Sequence, residues 1–335
     1  HPEIKGLLPM RWLKYSALLL LGLLVYGWLI YIPQQVIHGP PYPIDRTPTE
    51  VSLRYQDVTL TEPVDGIALS GWYIPVENAR AVVLFLHGGG SNRHSSYFEA
   101  LEFYKALATL GYSVFTIDLR NHGNSGRDGK GMSFGLRESR DAIAALDWLQ
   151  ERSAGTPVIM MGISMGGATA IHAVASGAAP VGIILLDPLL DTDSTFTLGI
   201  WTQTGLPPRL FKPSAWAART FFGLPSDDQE ARHLALSLQT PTLLIQDPGD
   251  PVTIAAFARD IAEANPAISL WEAPEVANND PRFAWKGRWG SHVAAFAAHP
   301  VPTMTVIDAF IRSTLDSTGS DAAATSSAVR GAPAH

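Results

Sequence analysis

Residues 157–167 read Pro157-Val158-Ile159-Met160-Met161-Gly162-Ile163-Ser164-Met165-Gly166-Gly167, an apolar run that ends in a Gly-x-Ser-x-Gly turn just ahead of an alanine-rich stretch. The run has the length and composition of a buried strand, and the alanines that follow suit a helix. A serine at a sharp strand-to-helix turn sits in a strained conformation, and glycines two positions either side keep side chains from colliding. Ser164 Oγ would then stand clear for attack. Gly167 is expected to let the helix pack closely against the strand.

A serine hydroxyl is a weak nucleophile at neutral pH, so the chemistry requires a histidine base, a carboxylate that orients it, and N–H donors for an oxyanion. The base is sought in a loop after the last strand, where Gly290-Ser291-His292-Val293 precedes a helical Ala/Phe stretch; His292 is the candidate. The carboxylate is sought after the strand 242–246, in Asp247-Pro248-Gly249-Asp250-Pro251-Val252. Asp250 lies far enough past the strand for its loop to curl back towards His292. Asp247 is the alternative, better placed to cap the turn through backbone N–H groups. For the oxyanion, Met165 N–H supplies one donor, and the loop His87-Gly88-Gly89-Gly90-Ser91-Asn92-Arg93 supplies a second from Gly89, with Gly88 as alternative. His87 is expected to hold that loop by hydrogen bonding. His87, His94 and His122 lack metal-ligand spacing, so no metal and no cofactor is expected.

The rest of the composition narrows the partners. The chain has 335 residues, a formal net charge of −7 and no Lys/Arg run, so it offers no footprint for nucleic acid. Small molecules or lipids are the expected ligands. There is no cysteine, which removes disulfides, thiolate metal sites and a cysteine nucleophile. No Asn-x-Ser/Thr acceptor occurs, in keeping with a bacterial source.

Between Tyr15 and Ile44 no residue carries a formal charge, and 16–32 is almost continuously apolar. With Trp12 and Leu13 this segment approaches the ~20 residues that cross a bilayer. Trp12 and Tyr15 flank one end and Trp28 and Tyr31 the other, as headgroup layers favour. Lys5, Arg11 and Lys14 precede the run, so the N-terminus is expected to stay cytoplasmic with the remainder extracytoplasmic, in a bacterial inner membrane facing the periplasm or exterior. Bulky Trp28, Tyr31 and Ile32 at the exit favour a retained anchor over a cleaved signal.

The expected organisation is an N-terminal flank and transmembrane anchor over 1–32, of which 1–9 contribute nothing to the fold. A stiff tether follows over 33–49, because 33–48 holds five prolines in sixteen residues. The main domain covers 50–316. Strands at 51–60 and 67–75 form an antiparallel edge hairpin; apolar runs at 81–86, 113–117, 158–161, 182–186, 242–246 and 268–271 alternate with helices near 97–109, 138–152 and 303–315. That alternation predicts a doubly wound, mostly parallel α/β sheet. Residues 187–237 lack strand character but carry Phe196, Ile200, Trp201, Phe211, Trp216, Phe221 and Phe222, a helical cap whose aromatics bury it against the main domain and roof the site. Residues 317–335, rich in Ser, Ala and Gly without periodicity, are expected to be disordered.

Over about 50–315 the chain resembles the α/β-hydrolase superfamily. The resemblance rests on Asp65-Gly66-x-x-Leu69-x-Gly71-Trp72-Tyr73, the HGGGSNR loop, Asp118-Leu-Arg-Asn-His-Gly-Asn-Ser-Gly126, GISMGG, Gly-Asp250-x-Val and Gly-x-His292. The order Ser164, Asp250, His292 is the one these hydrolases use. Within the superfamily it is similar to membrane-anchored α/β-hydrolase-domain proteins and prolyl-oligopeptidase-type serine hydrolases. The resemblance implies an α/β-hydrolase fold and hydrolysis of an ester, thioester or amide, with an acyl ester, lipid-like or small, as the leading substrate and membrane contact through the N-terminal helix. Amide or peptide hydrolysis, acyl transfer and a non-catalytic binding protein are the alternatives. It also implies that Asp118 and His122 shape a loop beside the site. One departure is Gln246-Asp247, where relatives commonly have His-Gly.

Overall fold

The computed structural model describes the backbone of residues 7–330 apart from 41, 154, 278 and 279, and side chains within 11–318. Residues 1–6 and 331–335, which include parts of the expected flank and tail, lie outside the described residues. Eight strands form one sheet: β1 Gln56–Thr61, β2 Ala68–Ile74, β3 Val82–Leu86, β4 Ser113–Ile117, β5 Val158–Ile163, β6 Gly182–Leu186, β7 Thr242–Gln246 and β8 Ile268–Glu272. Their order is β1-β2-β4-β3-β5-β6-β7-β8. Only the β1–β2 and β2–β4 pairs are antiparallel.

Every residue of β3, β4, β5, β6 and β7 is buried, because helices cover both faces and leave no side for polar alternation. At the edge, β1 alternates between exposed and buried instead. The register pairs Leu86 with Gly162 and Gly162 with Leu185, so β3, β5 and β6 end together at one sheet edge. The strand at 51–60 starts later than the sequence pattern suggests. Thr47 and Glu50 close a capping box around the 3-10 turn Pro48–Val51, which takes those residues out of the strand.

The chain enters through α1 Leu7–Tyr26, a π turn at Gly27–Tyr31 and α2 Ile32–Ile37, so the first five residues of the expected tether are helical. Pro33 lacks an N–H and crowds the carbonyl four residues back; the wider π turn sits where that conflict would fall. The side chains of α1 from Arg11 to Tyr26 are exposed, whereas Pro33 and Ile37 are buried. The span Arg11–Ile37 is long and apolar enough to cross a membrane, with mean hydropathy 2.0.

Beyond it, α3 Ala100–Thr109 packs on one face of the sheet and α4 Glu138–Arg152 and α5 Met165–Ala175 on the other. The stretch between β6 and β7 holds α6 Thr192–Thr204, α7 Lys212–Phe221 and the short α8 Ala231–Ala235. In this cap Phe196, Ile200 and Phe211 are buried in the core, while Trp216 and Phe221 face outward. The aromatics thus divide between two faces and do not all bury the cap. Helix α9 Ala255–Ala264, the single turn α10 Ala295–Ala298 and α11 Pro300–Arg330 complete the fold, with α11 on the α3 face. The closing helix runs past residue 317 into the stretch expected to be disordered. Its alanines permit helix locally.

Helix α5 carries one titratable group with no outlet. His172 is buried and its Nε2 meets no hydrogen-bond partner among the described residues. Burial pulls its pKa down to about 4, so the folded state holds it neutral. Unfolding restores a value near 6.5, and stability from this group is therefore complete above about pH 6.5 and lost as pH falls towards 4. His172→Leu should remove that dependence: in urea titrations the variant gains on the parent by up to about 3 kcal/mol between pH 6.5 and pH 4. A stability difference independent of pH would refute a neutral, buried His172.

Candidate active site

The turn from β5 to α5 is built by steric exclusion. A Cβ on Gly162 would lie 2.1 Å from Gly166 O, and one on Gly166 would lie 2.1 Å from Leu86 O. No side chain fits either position. Ser164 between them adopts φ +50° and ψ −119°, a region non-glycine residues avoid and which costs of order 1–3 kcal/mol. Backbone hydrogen bonds hold it there. Ser164 N–H donates to Leu186 O at 3.1 Å, and its carbonyl accepts from Gly167 at 3.0 Å and Leu189 at 3.0 Å. Gly167 makes room for Pro188, whose Cβ would stand 2.7 Å from an added methyl, so the tightest approach there is to the loop after β6, with Gly162 O of β5 next at 3.4 Å.

His292 reaches this serine from a loop 128 residues away, with Nε2 3.0 Å from Ser164 Oγ. Its Nδ1 lies 2.7 Å from Asp250 Oδ2. A carboxylate can only accept, so Nδ1 carries the proton and Nε2 is left as the acceptor for the serine hydroxyl. Asp250 is itself fixed. Its Oδ1 accepts from Val252 N at 2.7 Å and Thr253 N at 3.0 Å, and its Oδ2 also accepts from Thr253 Oγ1 at 2.8 Å. Gln246 donates from Nε2 to Thr253 Oγ1 at 3.2 Å and so supports the loop. Asp247 points elsewhere: its Oδ1 accepts from Gly249 N at 2.9 Å, closing the turn.

The structure adds a residue that the sequence reading passed over. Asp187, fully buried at the end of β6 with φ +42°, accepts from Asp247 N at 2.7 Å through Oδ1 and from Val293 N at 3.0 Å through Oδ2. One carboxylate thereby joins the Asp250 loop to the His292 loop. Burial, then the charge of Asp250, pushes its pKa well above the usual carboxylate range. The signal available was a lone acid ending the apolar run Ile183-Ile184-Leu185-Leu186. Asp187, Asp250 and His292 place three ligand-type atoms within 4.8 Å of one another. Both ring nitrogens of His292 and both oxygens of Asp187 are already hydrogen-bonded within the protein.

The glycine-rich loop after β3 runs beside the serine. An added Cβ on Gly88 would stand 3.3 Å from Ser164 Cβ, and one on Gly89 would stand 3.4 Å from Met165 Sδ, which brings Gly89 against the Met165 side chain at the start of α5. Two buried histidines hold this loop. His87 Nδ1 faces Gly88 O at 2.7 Å while its Nε2 accepts from Leu119 N at 3.0 Å. His122 Nε2 accepts from Gly90 N at 3.1 Å while Nδ1 faces Arg120 O at 2.8 Å. Each ring needs one protonated and one bare nitrogen, and burial lowers both pKa values to keep them so. Asp118 ties the same region, accepting from Arg93 N at 2.8 Å and Asn124 N at 2.8 Å and pairing with the Arg93 guanidinium at 2.5 Å.

Comparison with known proteins places these features in context. The family described as serine aminopeptidase, S33, matches residues 77–235. The chain is similar to lysophosphatidylserine lipase ABHD12 of Gallus gallus, 30% identical over 156 residues, covering 40% of this chain and 39% of that protein. Protein ABHD12B of Homo sapiens is 32% identical over 120 residues, covering 35% of this chain and 32% of its own length. These matches span about two fifths or less of the curated relatives. In fold it is similar to the Pyrococcus furiosus esterase Pf2001, with a TM-score of 0.66 at 24% identity, covering 83% of this chain and 97% of that one. A putative aryl esterase from Burkholderia cenocepacia superposes with a TM-score of 0.56 at 18% identity, over 78% and 100% of the two chains.

The two acids should separate by substitution. With a fluorophosphonate probe, Asp250→Asn should slow modification of Ser164 by about four orders of magnitude, because the amide favours the wrong imidazole tautomer. Asp187→Asn keeps that tautomer but sets an N–H₂ group against a backbone N–H, loosening the loops; a loss of about a hundredfold is expected. Equal losses from both would deny Asp187 its separate positioning role.

Proposed function

We propose that this chain, which belongs to the α/β-hydrolase superfamily, is a serine hydrolase of acyl esters with lipid-like substrates, anchored to a membrane by its N-terminal helix. The observation that carries this reading is the unbroken hydrogen-bond line from Ser164 Oγ through His292 to Asp250, at 3.0 and 2.7 Å, starting from a strained turn.

In the reaction we infer, His292 Nε2 takes the proton of Ser164 as Oγ attacks the ester carbonyl. Asp250 holds the imidazole and stabilises its charge. The developing oxyanion rests on the N–H groups of Met165 and Gly89, the first at the start of α5 where the helix dipole favours negative charge. His292 then protonates the leaving alcohol, and the acyl enzyme is released by water through the same steps. The strain at Ser164 serves this chemistry by presenting Oγ ahead of the strand end.

Three features support a lipid-like ester. Relatives over part of the chain are named lysophosphatidylserine lipases, the fold neighbours include esterases, and the segment between β6 and β7 carries exposed apolar side chains. The apolar helix at the N-terminus supports delivery of substrate from a bilayer, and the cations Arg11 and Lys14 ahead of it support a cytoplasmic N-terminus with the hydrolase domain on the opposite side. An amide or peptide substrate remains the second reading because the matching family is described as an aminopeptidase.

A fluorophosphonate probe should form an adduct on the peptide holding Ser164, located by mass spectrometry. Against a lysophospholipid, a short aryl ester and an aminoacyl anilide, the esters should be turned over and the anilide not. Ser164→Ala should lower ester turnover by at least about a thousandfold. Folded protein without an adduct would remove the reading, and preference for the anilide would replace it with amide hydrolysis. The full chain should also remain with membranes through an alkaline carbonate wash; release into the supernatant would discard the anchor.

A further inference from the structure

The N-terminal helix does more than pass near the main domain: its end is stacked on the cap. Trp28 lies 6.2 Å from Phe211 with the rings within 8° of parallel, and Trp28 Nε1 donates to Leu210 O at 2.6 Å. The depth of this contact follows from helix geometry. Arg11 and Lys14 are the last cations before the apolar run, and Gln34 is the first polar side chain after Ser16. At 1.5 Å per residue, the ~20 residues that span a ~30 Å hydrocarbon layer from Tyr15 reach about Gln34. Trp28 therefore falls within the last turns before the polar boundary. Whatever is stacked on Trp28 lies at the same depth.

What is stacked there is apolar and uncovered. Leu206 is 48% exposed, Leu210 44%, Trp216 55% and Phe221 62%, on the segment that includes the Trp28 contact and on the helix that follows it. Trp216 and Phe221 pack edge to face on each other, 5.5 Å apart, without being covered. The neighbouring exposed side chains Arg209 and Lys212 are cations with long apolar stems, suited to reach headgroup phosphates from below. Exposed apolar side chains gathered beside a helix of this kind mark an interaction site.

Resting on the reading that α1 crosses a bilayer, we propose that the cap edge formed by Leu206, Leu210, Trp216 and Phe221 is immersed in the headgroup–acyl boundary of that same bilayer. The cap then lies on the membrane as a fixed footplate, with the Trp28–Leu210 contact setting its depth. A lipid substrate would pass from bilayer to cleft beside the cap without crossing bulk water.

The absence of native cysteine allows a direct test on the full chain in phosphatidylethanolamine–phosphatidylglycerol vesicles. Single variants Leu206→Cys, Trp216→Cys and Phe221→Cys carry an environment-sensitive fluorophore, with Glu151→Cys as reference. Glu151 is exposed near the end of α4, where the chain returns to the N-terminal ends of the parallel strands, opposite the ends that carry Ser164. The cap labels should emit at shorter wavelength and be quenched at least about fivefold more strongly than the reference by nitroxide carried on the lipid chains. Cap labels that match the Glu151 label in both readouts overturn the proposal, whether or not any ester is hydrolysed.

A second arm uses turnover. Trp216→Ser with Phe221→Ser should lower hydrolysis of a long-chain lysophospholipid in vesicles by about tenfold and leave a short, water-soluble ester unchanged. Fluorophosphonate modification of Ser164 at the parental rate certifies that the variant is folded. An equal loss on both esters would count against the footplate, while no hydrolysis by the parent would count only against the ester reading and leave the label result standing.

Discussion

The site end of this molecule depends on one close approach of backbone to backbone, that of the β5–α5 turn to the end of β3. With Gly166 lying so near Leu86 O that no Cβ fits, helix α5 begins directly above the strand ends. The residue between Gly162 and Gly166 has nowhere to go but a strained, positive-φ conformation. Strain of this kind persists only when the surroundings over-determine it. Here the hydrogen bonds from Ser164 to Leu186, Gly167 and Leu189 do so, and they exist because β6 lies parallel to β5 in a register that brings Leu186 beside Ile163.

Buried polar groups complete the frame. Asp187 would be costly to bury alone, but two backbone N–H groups that would otherwise be unpaired are satisfied by it. His87 and His122 follow the same logic with the opposite outcome for charge. Kept neutral by burial, each can accept from one loop and donate to another, which a protonated ring could not do. The glycine-rich loop is therefore pinned at both sides by uncharged rings, and a fixed loop is what a pre-organised set of N–H donors requires.

The cap links this machinery to the N-terminal helix. Its inner residues Phe196, Ile200 and Phe211 join the core, and Phe211 turns the other side of its ring environment to Trp28. The π turn at Gly27–Tyr31 lets the helix continue past Pro33 while it meets the cap, so the N-terminal helix leaves the apolar run already in contact with the main domain. An arrangement of this sort couples the orientation of the main domain to that of the helix, whereas a free proline tether would leave the two independent.

Much of the fold was legible in local pattern. The strands β4, β6 and β7 coincide with the segments 113–117, 182–186 and 242–246 that the sequence pattern marks, and the Gly-x-Ser-x-Gly turn announces itself in part because steric exclusion at Gly162 acts against Gly166, four residues on. The candidates Ser164, Asp250 and His292 were drawn from the order of loops along the chain, since each follows a strand whose apolar run marks its place. Other features left no such trace. Asp187 bonds a residue 106 positions away, Trp28 one 182 positions away, and neither separation leaves a periodic mark. The aromatics of the cap read alike in sequence, yet Phe196 is buried and Phe221 exposed, because which face of a helix is covered depends on what packs against it. The sequence by itself determined the strands, the elbow and the apolar N-terminal helix, all of which arise from forces between near neighbours along the chain. The tertiary structure alone decided which buried carboxylate joins the loops, which face of the cap stays open and where the N-terminal helix docks, because those outcomes depend on contacts that exist only once distant segments have been brought together.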